Sequence, residues 1–231
     1  MAEKIDKHIV VCTPLYESVP APSFRSFINV MGSMSQVFEG ASFSTSRSTL
    51  VHIARRKIAE EVMKLDEERP VDFLLWIDSD SVFSMENVLQ LFYTQQKINA
   101  DLASGLYVTK RDPIQTVCYT ETLSGYASLT NIQENTIFQV DGVGFGFLLM
   151  KMDALKKVVD KYGVEKAFHV VDPFNGKDLG EDLVFCRAAK KEGLKIFVNS
   201  GIQIGHAGSV IMPKDFIVQK KNIEKAQTNR K

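Results

Sequence analysis

The segment "DFLLWIDSDSVF", residues 72–83, decides how the chain is expected to fold. Five consecutive apolar residues, 73–77, form the short run that is typical of a strand buried on both faces. Asp78 and Asp80 follow this run directly, with one serine between them. Carboxylates are costly to leave unpaired beside a hydrophobic core, so we expect a cationic partner at this end of the strand.

Composition indicates an ordinary globular protein. The chain has 231 residues, of which 45% are apolar and 24% charged, and its formal net charge is zero. This length suffices for one domain with a sizeable core, and the balanced charge argues against a nucleic-acid partner. Three isolated cysteines, Cys12, Cys118 and Cys186, argue against a disulfide framework or a thiolate zinc site. The oligomeric state is not indicated.

The amino terminus and the hydropathy pattern carry an expectation about location. The opening residues, "MAEKIDKHIVV", lack the apolar stretch of a secretory leader. No segment approaches the roughly 20 apolar residues that a membrane helix requires. We therefore expect a cytoplasmic protein without a transmembrane segment.

Strand patterns alternate with helix patterns along the chain. Strands are predicted to begin near residues 8, 37, 72, 100 and 194, with a further strand and helix within 142–163, and Pro14 is expected to stop the first strand. Helices are predicted over 23–36, 48–69, 84–96 and 180–192, with Ser48 as a cap. Residues 114–140 show alternation and turn residues, which indicates a β-hairpin region. The pattern predicts an α/β fold with a mostly parallel central sheet flanked by helices.

One compact domain is expected over residues 1–212. A basic tail, either helical or disordered, follows over residues 213–231. Ligands of such sheets bind outside the carboxyl ends of the strands, which is where Asp78 and Asp80 fall. The strand period of two predicts that both acids lie on one face. Two carboxylates there suit Mg²⁺ or Mn²⁺, ions that prefer oxygen ligands and commonly also bind substrate phosphates.

Three further segments contain candidate functional residues. In "DGVGFGFLLMKMDAL", residues 141–155, alternate glycines that include Gly144 leave room for a close approach to the backbone, although a tight turn would also explain them. Glu181 and Asp182 begin a predicted helix, where acids also complement the helix dipole. His206 lies between glycines after an apolar strand, an unusual place for a core histidine.

Taken in order, these segments resemble the GT-A fold glycosyltransferases, in particular the family-2-like members. The resemblance spans residues 8 to about 210. It implies that Asp80 is a metal ligand, that Asp78 holds the nucleotide ribose or a metal-bound water, and that His206 completes the metal shell. It also implies that Asp182 is the general base of an inverting reaction, with Glu181 binding acceptor or sugar hydroxyls.

The same resemblance supplies candidates for binding the nucleotide sugar. Thr13, Pro14 and Tyr16 lie where the nucleobase loop is expected, and Arg55 matches an arginine that contacts the nucleotide. The basic residues Lys110 and Arg111 follow a strand and are candidates for the phosphates. The substrate-binding set is therefore Thr13, Pro14, Tyr16, Arg55, Asp78, Ser79, Lys110 and Gly144.

The function expected from the sequence is metal-dependent transfer of a sugar from a nucleotide-diphosphate sugar to an acceptor hydroxyl. The acceptor is a glycan, a protein or a small molecule, and the sequence does not choose among them. Two alternatives remain open. A phosphohydrolase of the HAD class would use Asp78 as nucleophile and Asp80 as acid/base, and a GT-A-like module could bind a nucleotide sugar without catalysis.

Overall fold

A central β-sheet organises the chain. The computed structural model describes residues 3–110, 113–123, 125–208, 213–214, 217–218 and 220. The helices in these ranges are α1 (Ala21–Val37), α2 (Val51–Glu68), α3 (Met85–Ile98), α4 (Met152–Tyr162), α5 (Val164–Ala167) and α6 (Glu181–Lys191). The strands are β1 (Ile5–Leu15), β2 (Phe38–Arg47), β3 (Phe73–Ile77), β4 (Ser81–Val82), β5 (Leu102–Leu106), β6 (Cys118–Thr122), β7 (Gly125–Ser128), β8 (Ile137–Val140), β9 (Gly142–Val143), β10 (Phe147–Lys151), β11 (Ile196–Gln203) and β12 (Gly205–His206).

The topology confirms the predicted α/β class. Seven of the described strands form one sheet in the order β2-β1-β3-β10-β5-β11-β8. Five of them run in one direction, while β10 and β8 run antiparallel to their neighbours. Strands β7, β6 and β9 form a separate small sheet, which contains the predicted hairpin between β6 and β7. The short pair β12-β4 lies apart from both.

Two hydrophobic clusters cover the two faces of the sheet. On β3, Leu74 and Trp76 face a cluster that contains residues of α2, α4 and α6. Phe73, Leu75 and Ile77 face the opposite cluster, which contains residues of α1 and α3. Because both faces of β3 are covered, its five residues are all apolar and all buried. The first residue that can be polar is the one that leaves the sheet, which is Asp78.

Two predicted boundaries were wrong. Strand β1 continues through Pro14 to Leu15. Its pairing with β3 ends at Cys12, so the strand does not need the N–H group that Pro14 lacks for a hydrogen bond to β3. Ser48 does not cap α2, which begins at Val51 with Leu50 as its N-cap residue. The Ser48 hydroxyl instead accepts a hydrogen bond of 3.1 Å from the Leu50 N–H.

The predicted domain boundary and the predicted tail fall at the carboxyl-terminal end of the chain. Residue 212 and most of the segment 213–231 lie outside the described residues. Across the part of the chain that is described, every helix falls short of the combination of length and apolarity that crossing a bilayer requires.

Candidate functional site

Asp78 and Asp80 lie on a turn rather than on the strand itself. Strand β3 ends at Ile77, and the Ser81 N–H donates to the Asp78 carbonyl over 3.0 Å to close the turn. The expectation that period two places both acids on one face is therefore wrong, because the backbone has left the extended conformation. The two side chains have different partners: Asp78 binds Arg55, and Asp80 binds Lys110 and approaches His206.

The glycine-rich segment supports this turn. The Gly146 carbonyl accepts hydrogen bonds from the Asp78 N–H at 3.2 Å and from the Ser81 hydroxyl at 2.9 Å. The Gly146 N–H donates to the Tyr107 hydroxyl over 2.9 Å. A Cβ atom on Gly144 would lie 2.1 Å from that same hydroxyl. The close approach expected for Gly144 is therefore to the buried Tyr107 ring, and its assignment as a substrate-binding residue is replaced by a packing role.

His206 reaches the turn through a short strand pairing. Residues of β12 pair antiparallel with β4, so that His206 lies opposite Ser81, and the Ala207 N–H donates to the Asp80 carbonyl over 2.7 Å. The His206 ring nitrogen Nδ1 lies 2.9 Å from the Val108 carbonyl. A carbonyl only accepts hydrogen bonds, so Nδ1 carries the proton, and in the neutral ring Nε2 keeps its lone pair.

Asp80 and His206 fit as two ligands of a divalent ion. Nε2 of His206 lies 3.3 Å from Oδ1 of Asp80. In an octahedral shell with bonds of about 2.1 Å, adjacent ligand atoms lie about 3.0 Å apart, so the spacing is close to that of a shared ion. The described residues contain no cluster of three or more His, Cys, Asp or Glu that would enclose one. An ion here would therefore take its remaining ligands from phosphates and water.

Lys110 occupies the other oxygen of Asp80. Its ammonium nitrogen lies 2.5 Å from Oδ2 of Asp80, and both side chains are about one-third exposed. Burial alone would raise the pKa of Asp80, but a hydrogen bond from His206, in the form of the ring that also carries a proton on Nε2, and one from Lys110 outweigh it and lower the pKa to about 2. Asp80 is therefore a carboxylate at neutral pH. Arg111, the second basic candidate, lies outside the described residues.

A cleft opens beside the turn where a nucleotide was expected. Its volume is about 220 Å³. It combines the end of β1, the loop between β2 and α2, and the Asp-x-Asp turn, and its lining residues are Pro14, Leu15, Tyr16, Ser48, Thr49, Val51, Asp78, Ser79 and Asp80. Pro14, Tyr16, Asp78 and Ser79 thus line one cleft, and their contact with a nucleotide sugar stays a prediction. Ser48 and Thr49 were missed, because Ser48 was interpreted as a helix cap.

Two of the predicted nucleotide contacts lie elsewhere. Thr13 is 1% exposed and does not line the cleft. Arg55 is 2% exposed, and its guanidinium bonds to Asp78 and Glu181 inside the protein. Neither side chain is placed to touch a nucleotide in the cleft, because both are covered by the core. The position of Arg55 within the sequence did not reveal this burial.

Asp182 lies in the first turn of α6, just after the N-cap residue Gly180. Its Oδ1 atom accepts a hydrogen bond of 2.8 Å from the Leu183 N–H. Desolvation raises the pKa of Asp182 to about 7, and the negative charge of Glu181 acts in the same direction, while Arg55 opposes both. A carboxyl group with that pKa can accept or release a proton near neutral pH.

Glu181 is connected to the Asp-x-Asp turn through Arg55. Oε1 of Glu181 lies 2.9 Å from Nε of Arg55, and Oδ1 of Asp78 lies 2.7 Å from Nη2 of the same guanidinium. The HAD alternative needs Asp78 as a nucleophile, and the charged hydrogen bond from the buried Arg55 to Oδ1 makes that carboxylate a weaker nucleophile. The site thus joins β3, α2 and α6 through one arginine.

Comparison with solved structures shows the fold. The chain is similar to A197 from STIV with a TM-score of 0.57 and 19% identity, over 86% of this chain and 85% of that one. It is also similar to GalNAc-T7, solved with UDP, GalNAc and Mn²⁺, with a TM-score of 0.53 and 9% identity. That match covers 88% of this chain and 44% of the GalNAc-T7 chain, so this chain corresponds to less than half of it.

These likenesses confirm the GT-A type fold expected from the sequence resemblance. Identities of 19% and 9% show the fold alone. No protein-family model matches the chain, and no curated protein matches its sequence.

Proposed function

We propose that this protein is a glycosyltransferase that transfers a sugar from a nucleoside-diphosphate sugar to an acceptor hydroxyl, with a bound Mn²⁺ or Mg²⁺ ion. The observation that carries the proposal is the convergence of Asp80 and His206, whose Oδ1 and Nε2 atoms lie 3.3 Å apart beside the cleft. The likeness to GalNAc-T7, solved with UDP, GalNAc and Mn²⁺, supports it.

The cleft supplies the nucleotide-binding surface. Tyr16 is 54% exposed at its edge, which leaves the ring free to stack on a base. Ser48 and Thr49 also line the cleft and offer hydroxyl groups. Asp78 accepts from Arg55 through Oδ1, and its Oδ2 atom is left for a ribose hydroxyl. The base, ribose and diphosphate would then extend along the cleft toward Asp80.

The diphosphate end of the site combines cationic and metal-binding groups. Asp80 and His206 would hold the ion, and Lys110 lies on the same carboxylate. When bound, the ion supplies Lewis-acid stabilisation of the charge that develops on the leaving nucleoside diphosphate. The Lys110 ammonium would add a hydrogen bond to the same phosphates once it leaves Asp80.

Asp182 is the proposed general base of an inverting reaction. Its Oδ1 atom is held by the Leu183 N–H, so Oδ2 is the oxygen that would take the proton of the acceptor hydroxyl. A pKa of about 7 gives this carboxylate a useful basicity near neutral pH. Glu181 is the proposed second acid of the site, although its Oε1 atom is already bound by Arg55.

Release of nucleoside diphosphate from a panel of nucleotide sugars, with Mn²⁺ or with chelator, tests the proposal. We expect Mn²⁺-dependent release with at least one donor and its loss in Asp80→Asn. Asp153→Asn, at an exposed position in the first turn of α4, is the matched control and should retain full activity. Equal release in Asp80→Asn, or in excess chelator, would refute metal-dependent transfer.

A further inference from the structure

A buried arginine links the Asp-x-Asp turn to the helix that carries the proposed base. Arg55 lies on α2, and its side chain is 3% exposed. Nη2 lies 2.7 Å from Oδ1 of Asp78, which follows β3, and Nε lies 2.9 Å from Oε1 of Glu181, the first residue of α6. One side chain therefore holds two elements of the site together.

Aromatic side chains restrict the guanidinium between these acids. The central carbon of the Arg55 guanidinium lies 5.6 Å from the ring centroid of Trp76 and 5.4 Å from that of Phe145. Both rings are fully buried. A lysine could keep the charge here, but its single ammonium group lacks the planar fork that bonds two carboxylates while lying between two rings.

We infer that Arg55 is a positioning residue that fixes the first turn of α6, and with it Asp182, against the Asp-x-Asp turn. This differs from the nucleotide contact expected for it from the sequence. The catalytic meaning of the inference rests on the proposed function. The structural link from Asp78 through Arg55 to Glu181 is independent of the proposed function.

The pKa of Asp182 reports on this link, because charged groups from the linked elements surround its carboxyl group. The ionisable groups that face the Asp182 carboxyl come from four elements, namely Glu181 and Cys186 on α6, Arg55 on α2, Asp78 after β3 and Tyr107 after β5. Burial and Glu181 raise the pKa of Asp182, whereas Arg55 lowers it. Removing the arginine and removing the glutamate should therefore shift the titration of Asp182 in opposite directions.

The test measures the titration of Asp182 without requiring turnover. Carboxyl ¹³C NMR of protein labelled at aspartate, with the Asp182 signal assigned through Asp182→Asn, gives its pKa in each variant. We expect Arg55→Met to raise it by about one unit or more and Glu181→Gln to lower it. Arg56→Met is the matched control, because Arg56 pairs with the exposed Glu165 at 3.4 Å, and it should leave the titration unchanged.

Kinetics separate a positioning role from a nucleotide contact. With an active donor, we expect Arg55→Lys to lower kcat at least tenfold with little change in donor KM, and its Asp182 titration to move less than in Arg55→Met. An increase in donor KM with an unchanged Asp182 titration would overturn the inference in favour of a nucleotide contact.

The two proposals fail separately. If no donor is turned over, the proposed function fails, and the NMR titration still decides the role of Arg55. If Arg55→Met does not fold, Arg55→Lys and Glu181→Gln provide the same comparison. An Asp182 titration that is the same in all folded variants overturns the inference, whatever the activity.

Discussion

Nε2 of His206 lies 3.3 Å from Oδ1 of Asp80, and the Nδ1–H group of the same ring donates to the Val108 carbonyl. In the neutral ring, both facing atoms are hydrogen-bond acceptors. Two acceptors this close require a shared proton or a cation between them. Lys110 on the second oxygen of Asp80 shows that this carboxylate already attracts one cation.

His206 is predicted to contribute to metal affinity. We expect His206→Ala to weaken Mn²⁺ binding about 10- to 100-fold in the presence of a nucleoside diphosphate, because one of two protein ligands is lost. Isothermal titration calorimetry measures this affinity. His169→Ala, in the loop before α6, is the matched control. Equal Mn²⁺ affinity in His206→Ala and wild type would remove His206 from the ion shell.

Lys110 is predicted to compete with the metal ion for the Asp80 carboxylate and to strengthen binding of the nucleoside diphosphate. In Lys110→Met, the Oδ2 atom of Asp80 loses its ammonium partner. We therefore expect Mn²⁺ alone to bind more tightly and the nucleoside diphosphate to bind more weakly, since one phosphate-directed cation is gone. Calorimetry with Mn²⁺ and with the nucleoside diphosphate, each titrated separately, measures both changes in affinity. Lys166→Met, at an exposed position on α5, should change neither affinity, and a Lys110→Met protein that also changes neither would contradict this role.

Asp182 is predicted to control the pH dependence of transfer. Its pKa is about 7, and only the deprotonated form can act as a base. We expect kcat/KM to rise with pH and to level off above an apparent pKa near 7, measured at constant Mn²⁺. Asp182→Asn should lose about 10²–10⁴-fold in rate and also lose this limb. A variant that keeps the limb would assign it to another group.

The same carboxyl group is predicted to reduce stability at neutral pH. Its pKa of about 7 in the folded protein exceeds the value of about 3.9 expected in the unfolded chain. The folded state therefore holds the proton more tightly, so the stabilisation is complete below pH 4 and is lost as pH rises to 7. An asparagine at position 182 does not titrate, so Asp182→Asn lacks this loss of stability with rising pH.

Thermal unfolding between pH 4 and 8 measures this effect. The Tm of Asp182→Asn minus that of wild type should grow with pH up to about 7 and then remain constant. A difference that is constant over the whole range would show that Asp182 is not desolvated as the structure indicates. This trade-off, in which a group useful for proton transfer lowers the free energy of unfolding, is common at functional sites.

Gly144 provides a prediction about packing. A Cβ atom there would lie 2.1 Å from the Tyr107 hydroxyl and 2.5 Å from Val117. We expect Gly144→Ala to lower the free energy of unfolding by about 1–3 kcal/mol, because the buried ring cannot move away without cost. Gly32→Ala on α1 is the matched control, since a Cβ there meets nothing within 4 Å.

Denaturant titration of the two variants should give opposite signs. Alanine at position 32 is expected to stabilise the protein by up to about 1 kcal/mol through helix propensity alone. If Gly144→Ala were neutral in stability and weakened nucleotide binding, the ligand-facing interpretation of Gly144 would have to be restored.

The sequence predicted the parts of the site that depend on element order. The end of a buried strand is marked by Asp78 and Asp80 because the apolar run of β3 stops there. His206 was expected beside Asp80 from the resemblance, and the antiparallel pairing of β12 with β4 brings it there. The strand end follows from hydrophobic periodicity in a single sequence, whereas the approach of His206 does not.

Other parts depend on tertiary packing that a single sequence does not show. Arg55 and its neighbour Arg56 are indistinguishable by residue type, yet only a particular rotation of α2 buries the first between Asp78 and Glu181. Gly144 signals a close approach, but the residue that approaches is Tyr107, from a different strand end. Ser48 was missed because its hydroxyl has a local interpretation as a helix cap, while its place in the cleft depends on β1 and the Asp-x-Asp turn.

Anomalous diffraction at the manganese edge, from crystals grown with Mn²⁺ and a nucleoside diphosphate, tests the central claim most directly. The account predicts one peak within about 2.3 Å of both Oδ1 of Asp80 and Nε2 of His206, with diphosphate oxygens completing the shell. A nucleotide bound in the cleft without a peak at that position, or a peak that contacts neither residue, would contradict it.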